Sequence, residues 1–509
     1  MPGRMQRERA EALLCTNNVL TRVAEAEHVG ILAAETYFPA QYVRQEDLEV
    51  HDKVDPGKYT VGLGQQGISF CGDREDVVSM AMTVLRQLMN RHAIPASEIG
   101  RLEVGTESEL DASKSIKSHL MMVLQEDDPS ATDVEGCDSL HACFGGTAAV
   151  QNAVNWVESR SWDGRYAIVV MTDLAVYQAG PARPTSGAGA VALLIGADAP
   201  LVFERGFQAS YMTHAYDFYK PSGLYPTVDG PMSVYSYLEA LDRVYDRYTE
   251  KFEQRTGLSF TMDDADHALF HAPYNKLVQI AYARMLYLDQ SREINAARMQ
   301  AEGDNEKAGG RKKQGGATKE ITSTGTGDGT SMSVPLGEGP HPFPPSEMPV
   351  DLRRALTNQA FQSYDRKVRP STCIARLCGN MYTASVWSGI AQLIETTGAD
   401  LVDRRILLFS YGSGIAASMM SLVGRRIDGQ FSLEWLQSMS DLAMRLERRV
   451  PKSSVEFEQA LNLLESRFNQ GSYKPKTPSV EDLDVGTYYL DEVDAKYRRR
   501  YCRKSHLTL

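Results

Sequence analysis

The sequence predicts an α/β fold in which helices cover the faces of the sheets. Short apolar, β-branched runs alternate with stretches of helical spacing from Val29 onward. The run Ala190–Ile195 is apolar at every position and bounded by glycine, the pattern of a strand buried on both faces. Turn or helix-starting residues follow the strand ends, as Pro273 follows His271.

The elements follow in order. Val29–Thr36 reads as a strand stopped before Pro39. Asp76–Arg91 has helical spacing through Val77, Met80, Ala81, Val84, Leu85 and Leu88. Arg101–Gly105 is a short strand, Thr147–Ser159 a helix, and Tyr166–Thr172 and Ala190–Ile195 further strands. A polar, Tyr-rich connection over 210–237 leads to a helix over 238–255, a strand at Ala268–His271 and a helix from Pro273. Ile406–Ser410 reads as a strand, Tyr411–Gly414 as a turn and Ile415–Val423 as a helix. An amphipathic helix near 431–449 opens a helical C-terminal region, 425–509, whose basic end from Lys496 to Lys504 reads as a solvated face.

Residues 303–340 hold 10 Gly in 38 positions with few large apolar side chains, too little to bury a core, so a flexible insertion is expected. Its Gly325–Gly329 fragment mimics a phosphate-binding loop but has no predicted strand before it or helix after it.

At 509 residues, roughly one domain per ~150 residues gives two to four units. The formal charge of −12 disfavours non-specific binding to nucleic acid or anionic membrane. Seven cysteines are too few for a disulfide framework, and reduced thiols are expected. Residues 1–28, read as a flexible extension, lack an apolar signal core and mix acids with arginines, so a cytoplasmic rather than mitochondrial location is expected.

The strongest chemical signal is Cys143-Phe144-Gly145-Gly146 opening a helical run. A thiol at a helix N-terminus is expected to have a lowered pKa, and its N–H can face a substrate carbonyl. The competing reading is a structural cysteine at a tight helix start. Zinc held by Cys137, His141, Cys143, Cys373 and Cys378 fits the spacing poorly, and no metal is expected. Glu107 follows a strand and can act as a base, although an ordinary loop glutamate fits the sequence as well. His271 ends a strand beside a helix start, a place for a proton donor or acceptor. Between His267 and His271 stand Ala268, Leu269 and Phe270, so the zincin acid is missing. Asn380 reads as a helix cap, and Tyr411–Gly414 as a turn able to present N–H groups.

Cys, His and Asn in this order, each at a strand-to-helix junction, resemble the thiolase-fold condensing enzymes. Longer strings sharpen this: Arg101–Glu107, Asn155–Glu158, Trp162–Ala167, Ala182–Thr185, His214–Pro221 and Phe409–Gly414 resemble the eukaryotic 3-hydroxy-3-methylglutaryl-CoA synthases. The likeness runs from about His28 to Arg503 apart from the insertion.

The resemblance implies a five-layered αβαβα fold of two similar halves, 29–201 with Glu107 and Cys143 and 202–509 with His271 and Asn380. It implies acetyl-CoA and acetoacetyl-CoA as substrates, no cofactor, and a homodimer. In that reading Cys143 carries the acetyl group, Glu107 removes a methyl proton, and His271 binds the acceptor and protonates its alkoxide. Asn380 would contact the acetoacetyl group, and the N–H groups of Cys143 and Ser413 would hold the thioester oxyanion. Asp173 and Asp217 would orient the site; Lys276 would lie near CoA; Asp55, Gly57, Lys58, Thr185 and Ser233 would line the substrate. Four departures stand out: His141 and Phe144 where the family usually has Asn and Tyr, Ile280 for a lysine, and Pro181 for an asparagine. Loss of the phenol is expected to alter the acetylation rate. Ile280 and Pro181 are each expected to weaken CoA binding by about 1 kcal/mol. A carrier-protein ketoacyl synthase and a non-catalytic acyl-CoA-binding homologue are the alternative readings.

Overall fold

The structure, a computed structural model, describes residues 26–221, 223–307, 320–324, 331–335 and 343–505. The two halves share one strand pattern. In the first, β1 (Gly30–Tyr37), β2 (Ile99–Gly105), β3 (Tyr166–Ala175) and β4 (Gly187–Gly196) lie in the order β2-β3-β4-β1. The β2–β3 pair is parallel, and β4 runs antiparallel to both neighbours. In the second, β5 (His267–Phe270) and β6 (Arg405–Gly412) are parallel, and β7 (Ala416–Gly424) runs back antiparallel to β6. The short strand Leu201–Phe203 pairs with both β1 and β7 and joins the halves into one continuous sheet.

Each parallel pair needs a crossover, which helices supply. Helix α1 (Val77–His92) is started by a reciprocal cap, Asp76 accepting from Ser79 N–H and Ser79 from Asp76 N–H, and packs on β1, β3 and β4. Its Val84, Leu85 and Leu88 are fully buried, each worth about 1.5–3 kcal/mol against exposure. Helix α2 (Gly145–Val157) packs on β2 and β3. Helices α3 (Gly230–Thr256) and α4 (Asn275–Lys307) pack on each other, α3 also covering β7, and form a separate apolar core with it. Helix α5 (Ser385–Thr397) touches β1 in one half and β5 and β6 in the other. Thr147 on α2 bonds Ser410 of β6 at 2.6 Å and accepts from Trp387 of α5 at 3.1 Å, so the inner helices clasp both halves.

Several expectations need correction. Ile415–Val423, read as a helix, is strand β7: Ser413 and Gly414 turn the chain back on β6, and an apolar run buried between neighbours has no period to distinguish the two. The helix expected over 431–449 is two, Leu433–Met439 and Leu442–Glu447, broken at Ser440-Asp441. A further helix, Ser454–Arg467, has a Ser453/Glu456 capping box, and the region expected to be helical ends in a hairpin, Tyr488–Val493 with Arg499–Arg503. Arg498 and Arg500 there are ion-paired with Asp494 and Asp491 on a solvated face, as expected, whereas Arg499 turns inward to a largely buried pair with Asp76. Helix α3 starts at Gly230, within the stretch expected to be a connection, because Asp229 caps it by accepting from Met232 N–H. Within 303–340, α4 runs to Lys307 and strand Glu320–Thr324 pairs with Ser331–Pro335; a strand therefore does precede Gly325–Gly329. Positions 308–319, 325–330 and 336–340, like residues 1–25, lie outside the described residues.

Candidate active site

Glycine lets three chain segments meet. A Cβ on Gly105, at the end of β2, would lie 2.3 Å from Gly146 Cα, so strand end and helix start can touch only without one. Glu107 follows that strand end and Cys143 precedes that helix. The thiol of Cys143 donates to Glu107 Oε1 at 3.0 Å. Across the halves, a Cβ on Gly412 would lie 2.6 Å from Phe144 N and 2.9 Å from His141 O. The Tyr411–Gly414 turn therefore abuts the Cys143 loop. Neither Cys143 nor Ser413 uses its backbone N–H in a hydrogen bond among the described residues.

Asp173, fully buried on β3, holds the Glu107 segment. Its Oδ1 accepts from Glu107 N–H at 2.8 Å, Ser108 Oγ at 2.8 Å and Thr106 Oγ1 at 3.1 Å. Its Oδ2 accepts from Thr383 N–H at 2.9 Å and from the Thr383 hydroxyl. Asp217 does the same for the turn, accepting from Tyr411 OH at 3.0 Å and Gly414 N–H at 2.8 Å. Asn380 is buried beside the start of β4, its Oδ1 accepting from Tyr382 N–H at 2.9 Å; the N-cap of the 3₁₀ turn that follows is Met381, so Asn380 is not the helix cap the sequence suggested.

His271 continues its strand by one residue, donating its N–H to Phe409 O at 2.8 Å. Its ring stacks beside Tyr411, with centroids 6.5 Å apart and planes at 25°. It reaches the Cys143 loop through Tyr411, and no hydrogen bond joins it to Cys143 or Glu107 among the described residues.

Electrostatics correct the expectation for the thiol. Burial, then the Glu107 charge, holds the Cys143 pKa well above its ordinary value, so the helix N-terminus does not leave a resting thiolate. Burial raises Glu107 to about 7 even with Lys220 pulling the other way. Burial lowers His271 to about 3, so its imidazole is neutral.

Lys220 is the residue that sequence reasoning missed. It follows the strand Phe218–Tyr219, which pairs with Thr227–Val228, and its ammonium lies 3.6 Å from Glu107 Oε2. Tyr177, Tyr382 and Phe218 form an aromatic wall against which Cys143 packs. The only signal for Lys220 was its place in the string after Asp217.

The other expected residues lie on further segments. Asp55, Gly57 and Lys58 share a loop tied down by Glu49, which accepts from Gly57, Tyr59 and Thr60 N–H. That loop reaches α4, where Lys276 N–H donates to Leu63 O at 2.8 Å. Thr185 caps back on Ala182 O, and Ser233 lies in the first turn of α3. Ile280 faces an apolar cleft with Leu238, Ala283, Met348 and Leu356, near Arg284 and Arg353. His141 faces the Ser413 backbone, and its ring meets Phe144 edge-on at 6.4 Å, so both departures brace the turn.

Two family models match, the hydroxymethylglutaryl-coenzyme A synthase N-terminal domain over residues 25–200 and its C-terminal domain over 201–319 and 346–504. The chain belongs to the hydroxymethylglutaryl-CoA synthase family. It is 43% identical to the cytoplasmic hydroxymethylglutaryl-CoA synthase of Mus musculus, covering 94% of this chain and 87% of that protein. It is 40% identical to hydroxymethylglutaryl-CoA synthase A of Dictyostelium discoideum, over 94% and 92%, and 42% identical to the mitochondrial synthase of Bos taurus, over 94% and 89%. Among solved structures it resembles MvaS in complex with 3-hydroxy-3-methylglutaryl coenzyme A, with a TM-score of 0.75 and 28% identity over 94% of this chain and all (100%) of that one. The fold is thiolase-like, and the duplicated strand order is its two halves.

Proposed function

We propose that this hydroxymethylglutaryl-CoA synthase family member condenses acetyl-CoA with acetoacetyl-CoA and water to give 3-hydroxy-3-methylglutaryl-CoA and CoA, in the mevalonate route to isoprenoids and sterols. The observation that carries the reading is the direct Cys143–Glu107 hydrogen bond at the meeting point of the two halves. The thiol gives its proton to Glu107 and attacks the acetyl thioester; CoA leaves as the thiol by taking a proton. The Cys143 and Ser413 N–H groups receive the oxyanion.

Glu107, ionised again, removes a proton from the acetyl methyl, and the C–H electron pair forms the new bond to the acceptor ketone. The sequence reading has His271 protonate the alkoxide. Its neutral imidazole suits it instead to hold the acceptor by hydrogen bonding, while Glu107, protonated in the preceding step, returns that proton to the alkoxide. Asn380 contacts the acetoacetyl group. Water then cleaves the Cys143 thioester. Thiol, carboxylate and imidazole suffice without a cofactor. Lys276, Lys58, Asp55, Gly57, Thr185 and Ser233 line the path of CoA and its acyl chain. Ile280, where the resemblance expects an ammonium, faces Leu238, Ala283, Met348 and Leu356.

The protein acts in the cytoplasm, a reading supported by the names of its cytoplasmic relatives, and as a homodimer, which the family resemblance implies. No helix among the described residues is long and apolar enough to cross a membrane.

The test is purified protein with acetyl-CoA and acetoacetyl-CoA, followed by mass spectrometry of product and of Cys143. Acetylated Cys143 and 3-hydroxy-3-methylglutaryl-CoA are expected. Turnover with carrier-protein thioesters but not free CoA thioesters, or binding without turnover, would overturn the assignment.

A further inference from the structure

Lys220 has four separate contacts around the base. Its Nζ lies 3.6 Å from Glu107 Oε2 and donates to Glu107 backbone O at 3.1 Å. The ammonium sits over the Tyr382 ring at 4.6 Å and near the Phe218 ring at 5.8 Å. The side chain is 16% exposed and Glu107 4%, so little water screens the pair. Lys220 comes from the second half of the chain and Glu107 from the first, so only the assembled fold creates this contact.

The charges facing Glu107 explain why a cation is needed there. Asp173 approaches through the Glu107 backbone, and the Cys143 thiol bonds the carboxylate. Tyr177 and Tyr382 face it from the aromatic wall with phenols that burial keeps neutral. Asp173 and burial both oppose a second negative charge at Glu107, while Lys220 is the cation opposing them. A carboxylate can serve as base only in the fraction of molecules where it is ionised.

We infer that Lys220 is a positioning residue that fixes the Glu107 carboxylate and keeps it ionised for methyl-proton removal. It touches no reacting atom. The transferred proton moves from the methyl carbon to Glu107 and then to the alkoxide. The backbone bond fixes the segment, the ion pair fixes the charge, and Tyr382 fixes the ammonium. The inference rests on the proposed role of Glu107 as the base.

The test is the pH profile of condensation by acetyl-enzyme in Lys220→Met and Lys220→Arg, with acetylation measured separately. Removing an opposite charge at this range raises a carboxyl pKa by about 1–3 units. Lys220→Met should therefore shift the ascending limb upward by at least about one pH unit, slow condensation about tenfold near pH 7 and recover at higher pH. Lys220→Arg should keep the wild-type limb. A wild-type limb in Lys220→Met, with the rate lowered equally at every pH, would overturn the inference. If Lys220→Met does not fold, a shifted limb in Lys220→Arg overturns it and an unshifted limb supports it. Glu107→Gln separates the two claims. Normal condensation by Glu107→Gln refutes the base itself, whereas lost condensation beside an unshifted Lys220→Met refutes only the role of Lys220.

Discussion

Cys143 and Glu107 share one proton across 3.0 Å, the thiol donating to the carboxylate. The Glu107 charge pushes the thiol pKa up, while the thiol's hydrogen bond favours the ionised carboxylate. One group can therefore be the nucleophile only when the other has taken its proton. This coupling lets a single carboxylate serve both half-reactions in turn.

Removing Glu107 should separate the half-reactions. Glu107→Ala loses the base for carbon and should slow condensation about 10²–10⁴-fold. Acetylation loses a proton acceptor but also loses the negative charge that suppresses the Cys143 thiolate, and these effects oppose. Acetyl transfer should persist within about tenfold of wild type. Cys143→Ala should abolish covalent acetylation. Single-turnover mass spectrometry with acetyl-CoA, with and without acetoacetyl-CoA, checks both.

The pH dependence follows from the same pair. Burial places Glu107 at about 7, and its ionised form is the base. The fraction of base rises with pH through that value, so condensation should climb by about tenfold per unit below it and level off above. His271 is lowered by burial to about 3 and stays neutral across this range, so it should add no inflection between pH 5 and 9. A rate independent of pH between 5 and 8 would remove Glu107 from the rate-limiting proton transfer.

Much of the site could be read from the chain because its groups stand at strand ends. Cys143 before two glycines and Glu107 after a strand were visible as candidates, and the family resemblance chose between their roles and the bland readings. Strand β7 was not legible: Ala416–Gly424 is buried at nearly every position, its two serines included, and only its pairing with Arg405–Gly412 makes it a strand. The duplicated order of strands was hidden for the same reason. Lys220 was invisible as a site residue because its partner is 113 positions away. The thiol pKa was misjudged because helix position is local, whereas burial and the Glu107 charge come from the packed fold.

Gly412 should tolerate no side chain. A Cβ there would meet Phe144 N at 2.6 Å, Phe144 Cβ at 2.8 Å and His141 O at 2.9 Å, and backbone cannot yield as a flexible side chain does. Gly412→Ala should push the Ser413 turn from the Cys143 loop and separate the two oxyanion donors. Loss of one such donor costs about 10²–10³ in rate, and acetylation should fall in that range. Gly230→Ala is the control, because a Cβ there has nothing within 4 Å. Equal acetylation by the two variants would show that the turn does not hold the oxyanion.

Thr147 should matter for joining the halves rather than for chemistry. Its hydroxyl bonds Ser410 on β6 and accepts from Trp387 Nε1 on α5, and it is fully buried. Thr147→Val keeps the shape but leaves the indole N–H and the serine hydroxyl without that partner. Each stranded polar group costs about 1–3 kcal/mol, so the variant should unfold at lower denaturant concentration. Thr147→Ser keeps the hydroxyl and should recover most of the loss. Condensation by the folded fraction of Thr147→Val should stay near wild type, since its side chain touches neither Cys143 nor Glu107. Denaturant titration beside activity per folded molecule distinguishes these outcomes. A stable but inactive Thr147→Val would place the hydroxyl in the chemistry instead.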